Sequence, residues 1–247
     1  MTQLDTHYTE PRLVDIYDIE NPRGIDTYFY LNLANEVDAR QIVDLGCGTG
    51  LLTRELVAPH RKVFGVDPSI AMLKFAKRQP DAEHVTWIEG DAKALHSLEA
   101  DLVIMTGNVA QVFLEDAEWV ATLESIHNVL ESGGHLAFES RNPKAEAWKQ
   151  WNREDSYFQF DSPHGAMSTW VEVIEVNHNL VRFEGHNVFD ETGEVIISES
   201  TLRFRRYEEI SRSLIDRGFS IKDVYGDWHK SAFQEQSKRM IFVAMRP

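Results

Sequence analysis

Residues 43–50, which read Val-Asp-Leu-Gly-Cys-Gly-Thr-Gly, decide the fold of this 247-residue chain. The short apolar run at 41–45 is typical of a buried strand, and residues 51–59 are typical of a helix that Pro59 stops. Glycine at every second position allows positive φ and lets the loop backbone contact a ligand. The N–H groups that begin the helix would face that ligand, which favours a nucleotide-like molecule or a carboxylate.

The spacing of Gly46, Gly48 and Gly50 separates several kinds of glycine loop. Dinucleotide-binding loops follow G-x-G-x-x-G, so the G-x-G-x-G pattern here disfavours an oxidoreductase. Phosphate-binding P-loops require G-x-x-x-x-G-K-[ST], and no Lys follows at the matching position. Taken alone, the loop could also be a tight strand-to-helix turn that binds nothing.

Two aspartates follow the next two predicted strands. Asp67 ends the strand at 62–67 and Asp91 ends the strand at 84–91. At these positions one carboxylate could accept both hydroxyls of a ribose, and the other could accept from an adenine amine. Each aspartate alone could instead cap a helix or belong to a turn. Because the ends of consecutive parallel strands lie at one edge of a sheet, their joint occurrence favours a ligand site.

Strands and helices alternate as far as residue 142, which predicts a parallel sheet covered by helices on both faces. A long helix is predicted from residue 116, with Gly133 and Gly134 as its C-terminal cap. Residues 168–206 predict three antiparallel strands joined by turns at 177–179 and 190–194. The α/β pattern resumes with a helix closed by Gly218 and two more strands.

Composition and charge narrow the class of partner. Asp and Glu number 40 against 25 Lys and Arg, and the resulting charge of −15 opposes nucleic acid and anionic membranes. No apolar run is long enough to span a bilayer, and residues 1–18 lack the features of a signal peptide. With Cys47 as the single cysteine, we expect a cytoplasmic protein. No cluster has metal-ligand spacing, so no metal is predicted.

Five stretches together resemble the successive motifs of the class I S-adenosylmethionine-dependent methyltransferases. They are VDLGCGTG (43–50), VFGVDPS (63–69), EGDAKAL (89–95) and ADLVIMTG (100–107) leading to GGHLAFES (133–140). The resemblance is strong over 41–141 and weak over 207–247. It implies a Rossmann-like, doubly wound, mostly parallel seven-stranded sheet, with an antiparallel β insertion after the fifth strand.

The resemblance also divides the chain and implies an activity. Residues 1–40 would be a helical segment that covers the cofactor, 41–142 and 207–247 the methyltransferase domain, and 143–206 an inserted antiparallel lid. The implied enzyme transfers a methyl group from S-adenosylmethionine to a small-molecule N, O or C nucleophile. A protein-modifying methyltransferase and a non-catalytic S-adenosylmethionine-binding protein are the alternatives. The oligomeric state is left open, with a homodimer as one option.

The family pattern places the cofactor residue by residue. Around its methionine part would lie Asp44, Gly46, Cys47, Gly48 and Gly50. Asp67 would hold the ribose hydroxyls, with Pro68 and Met72 beside the adenine. Asp91 and the Ala92 N–H would contact the adenine edge. Thr106 and Gly107 would lie near the sulfonium.

The candidates for acceptor binding are fewer and less specific. Asn108 and Gln111 follow the fourth strand, where they either face the reaction centre or cap the next helix. Arg141 could bind an acceptor carboxylate or pair with an acidic side chain. The aromatic cluster at 148–170 supplies Trp148 and Trp170, although such a cluster also suits the core of a small sheet or a subunit interface. Tyr17 belongs to the leader, and no side chain is assigned as a general base.

Overall fold

The computed structural model describes residues 4–247 and contains two β-sheets. The strands of the larger sheet are β1 Gln41–Leu45, β2 Lys62–Asp67, β3 Val85–Glu89, β4 Ala100–Met105, β5 Leu130–Arg141, β10 Ser220–Tyr225 and β11 Arg239–Met245. The smaller sheet consists of β6 Phe158–Ser162, β7 Gly165–Asn177, β8 Leu180–Phe189 and β9 Glu194–Arg203. The α-helices are α1 Thr6–Thr9, α2 Pro11–Glu20, α3 Ile25–Glu36, α4 Leu51–Glu55, α5 Ile70–Ala76, α6 Asp116–Val129, α7 Arg153–Ser156 and α8 Tyr207–Asp216.

The larger sheet has the strand order β10-β11-β5-β4-β1-β2-β3. The five strands from β3 to β5 pair in parallel, whereas β11 pairs antiparallel with both β5 and β10. The smaller sheet is antiparallel throughout and follows β5 in the chain. The predicted fold class is therefore confirmed. The strand order reverses between β1 and β4, which is where open α/β sheets bind ligands.

Both faces of the larger sheet are buried. Alternate residues of each strand point to opposite faces, so each strand contributes side chains to two apolar cores. One face packs Val43, Val103 and Phe138 against α6 and α8. The other packs Ile42, Leu102, Ile104, Ala137 and Ile241 against Phe29, Tyr30 and Leu33 of α3. The second face, called here the α3 face, carries the polar residues of the site.

Two sequence-based expectations about local structure were wrong. The helix predicted to reach Gly133 ends at Val129, and the chain continues directly into β5. The reason is pairing: Leu130 lies opposite Ala100, and the Gly133 N–H donates to the Arg246 carbonyl, so this glycine extends a strand. The smaller sheet also has a fourth strand, β6, a short edge strand in which Phe158 and Phe160 alternate with Gln159 and Asp161.

The smaller sheet is joined to the leader by an apolar cluster. Leu13 and Ile16 of α2 pack against Met167 and Phe189. On β9 the residues Ile196, Ser198, Ser200 and Leu202 share one face, and Ser198 and Ser200 are buried on it. Among the described residues, no helix has the length and apolar character needed to cross a membrane.

The aromatic core beneath β5 gives a test of the packing. Phe138 is fully buried, stacks on Phe242 at 5.4 Å between ring centroids and meets Trp119 edge-on at 5.5 Å. We expect Phe138→Ala to lower the free energy of unfolding by ~3–5 kcal/mol, because it leaves a cavity. Urea denaturation measures this, with Ile215→Ala as the control, since Ile215 is 60% exposed. A cost for Phe138→Ala as small as that of the control would contradict this packing.

Candidate functional site

The glycine loop after β1 is shaped by its neighbours. Gly46 has φ +79°, and a Cβ there would lie 2.5 Å from Cγ2 of Val109, so only glycine fits. Gly48 has φ +54°, and a Cβ there would meet nothing within 4 Å. The loop is therefore packed tightly behind Gly46 and open to a ligand at Gly48.

A cavity of about 450 Å³ lies at this edge of the sheet, within the range of small-molecule sites (~300–1,000 Å³). Its walls come from the ends of β1, β4 and β5, from α2 and α3, and from the start of β11. The predicted site residues that line it are Tyr17, Asp44, Gly46, Cys47, Gly48, Thr106, Gly107, Asn108 and Arg141. Parts of the predicted cofactor and acceptor sites thus meet in one space.

Asp44 supplies a buried carboxylate at the end of β1. It is 1% exposed, and its Oδ2 accepts a hydrogen bond from the Thr53 hydroxyl at 2.7 Å. Its Oδ1 is buried without a hydrogen-bond partner. Burial raises the pKa of Asp44 to about 7, and the nearby carboxylates of Asp67 and Glu139 add to the rise. A cationic amino group in the cavity would satisfy the free oxygen.

Glu139 is a second buried carboxylate, and sequence reasoning missed it. It is 4% exposed on the α3 face of β5 and lines the cavity. The Tyr30 hydroxyl donates to one oxygen, and the Asn108 N–H donates to the other at 2.6 Å. Burial raises its pKa, although both hydrogen bonds act in the opposite direction. The available signal was a glutamate that directly follows the apolar residues 136–138 of a predicted strand.

Asp67 ends β2 beside the loop but does not line the cavity. Its two oxygens accept from the N–H groups of Gly48 at 2.8 Å and Ser69 at 2.7 Å. Burial raises the pKa of this carboxyl. The carboxylate thus ties the glycine loop to the start of α5.

The leader helices lie over this part of the site. The Ser69 hydroxyl donates to the Tyr8 carbonyl at 2.5 Å, and the Thr49 hydroxyl donates to Asp18 at 2.5 Å. The rings of Tyr8 and Tyr17 are 6.3 Å apart. The residues expected around the adenosine are absent from the cavity walls; they are Asp67, Pro68, Met72, Asp91 and Ala92. Gly50, expected near the methionine part, does not line the cavity either.

Two of these adenosine residues differ in their surroundings. Met72 is buried, whereas Asp91 is exposed and accepts from the Lys93 N–H at 2.9 Å. This bond is the helix-cap contact that was the alternative interpretation of Asp91. The cap leaves its other carboxylate oxygen free, so adenine recognition stays a prediction.

Three acceptor candidates do not line the cavity. Gln111 is buried and accepts from the Arg141 guanidinium at 3.0 Å. Trp148 packs edge-on against Phe204 at 4.7 Å. Trp170 stacks on His186 at 4.8 Å, on the opposite face of the smaller sheet from Met167. A role for Gln111, Trp148 or Trp170 in acceptor binding therefore stays a prediction.

The structure adds several residues that sequence reasoning had not assigned to the site. Those lining the cavity include Asp26 and Tyr30 of α3, Trp228, Lys238 and Arg239. In the described part of the chain, no three His, Cys, Asp or Glu side chains are placed to hold a metal ion. The cavity therefore presents three kinds of group to a ligand: buried carboxylates, backbone groups of the glycine loop and a few basic side chains.

Comparison with known proteins gives matches of two kinds. Residues 42–134 match the family described as a methyltransferase domain. A relative from Geobacillus sp. (strain WCH70), provisionally named a methyltransferase, is 27% identical over 224 residues, covering 84% of this chain and 85% of the relative.

Solved structures match over nearly the whole length. An S-adenosylmethionine-dependent methyltransferase from Clostridium acetobutylicum ATCC 824 has a TM-score of 0.76 at 18% identity, covering 93% of this chain and 96% of that one. An amino pentose methyltransferase from Micromonospora echinaspora, solved with S-adenosylmethionine bound, has a TM-score of 0.71 at 18% identity, covering 94% and 97%.

The buried Asp44 makes stability depend on pH. Its pKa is about 7 in the fold, against an ordinary 3.8, so the folded chain binds this proton more tightly than the unfolded chain. The stabilisation is present below about pH 4 and is lost as the pH rises through about 7. Asp44→Asn keeps an acceptor for Thr53, and we expect its stability relative to wild type to rise by on the order of 2–4 kcal/mol over that window. Urea denaturation at a series of pH values measures the difference, and a constant difference would contradict it.

Proposed function

Because the chain is a class I S-adenosylmethionine-dependent methyltransferase, with S-adenosylmethionine as its cofactor, we propose that its methyl acceptor is a small molecule. The family, enzyme class and cofactor predicted from the sequence are confirmed. The nucleophile that we favour is an amine, among the N, O and C options. The observation that carries this proposal is Glu139, a buried carboxylate in the same cavity as the glycine loop.

The residues around the loop fit the cofactor. The backbone at Gly48 and Gly107 faces open space, because a Cβ at either position would meet nothing within 4 Å. The unpartnered Oδ1 of Asp44 suits the α-amino group of the methionine part. Asp67 would take the ribose hydroxyls. When bound, the cofactor supplies an activated methyl group on a sulfonium.

Glu139 is placed to act on the acceptor. Tyr30 and the Asn108 N–H fix its two oxygens, so its orientation is set before an acceptor binds. Burial makes it a better proton acceptor than an exposed glutamate. An amine loses a proton in the course of methylation, and a carboxylate with a raised pKa can take that proton. The same carboxylate also attracts a protonated amine into the cavity.

The dimensions and charge of the site support a small acceptor. Glu139 is 4% exposed within a cavity of about 450 Å³, which leaves no room for a folded partner to reach it. The charge of −15 opposes polyanionic partners. The structural neighbour that acts on an amino pentose supports a nitrogen nucleophile on a small, polar molecule.

The remaining parts of the chain take roles in this proposal. Residues 143–206 act as a lid on the acceptor side, supported by Ala147 in the cavity wall and by the hydrogen bond from Gln111 to the Arg203 carbonyl at 3.3 Å. Residues 1–40 cover the cofactor, supported by the contact between Asp18 and Thr49. The methyltransferase domain is then 41–142 and 207–247. With one cysteine, Cys47, the protein works in the cytoplasm.

Binding of S-adenosylhomocysteine tests the cofactor site. We expect Asp67→Ala to weaken this binding by at least ~1.5 kcal/mol, because a charged acceptor for the ribose hydroxyls is lost. Isothermal titration calorimetry gives the affinities, and circular dichroism checks that the variant folds. Asp161→Ala, at an exposed position on β6, is the matched control. Equal affinity of the Asp67 variant and the control would contradict the assigned geometry.

The role of Glu139 is tested by turnover. We expect Glu139→Gln to lower methyl transfer by ~10²-fold or more, as for loss of a general base, with S-adenosylhomocysteine affinity within about twofold of wild type. Formation of S-adenosylhomocysteine is measured with a panel of small amines and amino sugars. Glu131→Gln, at an exposed position of the same strand, is the control. Transfer by Glu139→Gln at the control rate would exclude Glu139 as the proton acceptor.

A further inference from the structure

Arg141 and Arg239 lie directly opposite each other at the mouth of the cavity. They are register partners across the antiparallel pair β5–β11, and both line the cavity together with Lys238. Side chains at opposite positions of such a pair point to the same face. The two guanidinium groups therefore project from the α3 face side by side.

None of these three cations has an acidic partner. Among residues 4–247, the ion pairs within 4.0 Å involve other side chains. Arg141 donates instead to the neutral amide of Gln111 at 3.0 Å, and the Arg239 guanidinium lies 4.9 Å from the ring centroid of Trp228. Lys238 is exposed, so the unusual feature is the adjacency of the Arg141 and Arg239 charges in the wall of one cavity.

Among residues 4–247, Glu139 makes no ion pair with Arg141 or Arg239 within 4.0 Å, although its charge favours the charged form of Arg141. Glu139 lies two residues before Arg141 on the same face, but its oxygens accept from Tyr30 and the Asn108 N–H. Burial lowers the pKa of Arg141; the charge of Glu139 acts in the opposite direction, and the charge of Arg239 lowers the pKa further. Like charges directly opposite each other on antiparallel strands are destabilising. The arrangement is therefore one that an anion entering the cavity would stabilise.

We propose that Arg141, Arg239 and Lys238 bind an oxyanion of the methyl acceptor, either a carboxylate or a phosphate. The inference rests on the proposed function and narrows its substrate class to acidic small molecules. Two adjacent guanidinium groups can each donate paired N–H bonds to such a group. Trp228 adds an aromatic surface next to Arg239.

Strand spacing sets the size of the acceptor. Strands β5 and β11 are the first and second neighbours of β4, whose end carries Thr106 and Gly107. At ~4.8 Å per strand, the cationic group lies ~5–10 Å across the sheet from that end. The acceptor thus bears its nucleophile near Glu139 and its oxyanion a few bonds away.

Titration with simple anions tests the proposal. Sodium acetate and inorganic phosphate are titrated into the protein, with and without bound S-adenosylhomocysteine, by calorimetry. We expect saturable binding of at least one anion, weakened at least tenfold in Arg239→Gln and in Lys238→Gln. The control is Arg40→Gln, which should bind as the wild-type protein does. Arg40 is an exposed arginine that directly precedes β1, at the end of that strand remote from the cavity. The tighter probe identifies the oxyanion as a carboxylate or a phosphate.

Three results would overturn the proposal: no saturable binding of either anion to the wild-type protein, equal affinities in Arg239→Gln and the control, or an equal loss of S-adenosylhomocysteine affinity in Arg239→Gln. The last would assign the cations to the cofactor's own carboxylate. Failure of the wild-type protein to bind S-adenosylhomocysteine would contradict the proposed function, and the titrations without it would still report on the anion site.

Discussion

The site depends on the alternation of side chains along three strands. Asp44, Glu139, Arg141 and Arg239 all project from the α3 face, because each is an even number of residues from a core position of that face. Ile42, Ala137 and Ile241 are those core positions. A shift of one residue in any of these strands would move its charged group to the opposite face of the sheet, which packs against α6 and α8. The register of these strands therefore fixes both the packing of the core and the positions of the charged groups.

The burial of carboxylates is the second consequence of this arrangement. Asp44 and Glu139 continue core strands up to the edge of the sheet, so both are desolvated and have raised pKa values. Each keeps a fixed orientation through hydroxyl or N–H donors. Burying these carboxylates costs free energy, which the apolar packing of the same strands offsets. A ligand with complementary donors would offset part of this cost when it binds.

Much of the fold was predictable, because its signals are local. The glycine loop, the apolar strands and the helix patterns define β1 to β5 without reference to distant residues. The exception at Gly133 shows the limit: a pair of glycines resembles a helix cap, but pairing with β4 and with the C-terminal segment makes it part of a strand. Long-range pairing of that kind leaves no local pattern.

Most of the cavity residues that the sequence indicated belong to a motif or directly follow one. Asp44 and the glycines belong to the loop motif, whereas Arg239 and Trp228 come from the end of the chain and reach the cavity through the position of β11. Arg54 and Arg61 also donate only to neutral groups, so the significance of Arg239 lies in its position opposite Arg141 in the cavity wall. The pairing of β5 with β11 holds Arg239 opposite Arg141, and among residues 4–247 neither guanidinium makes an ion pair within 4.0 Å. Two guanidinium groups that strand pairing holds together in a cavity wall are in position to bind one anionic group of a ligand.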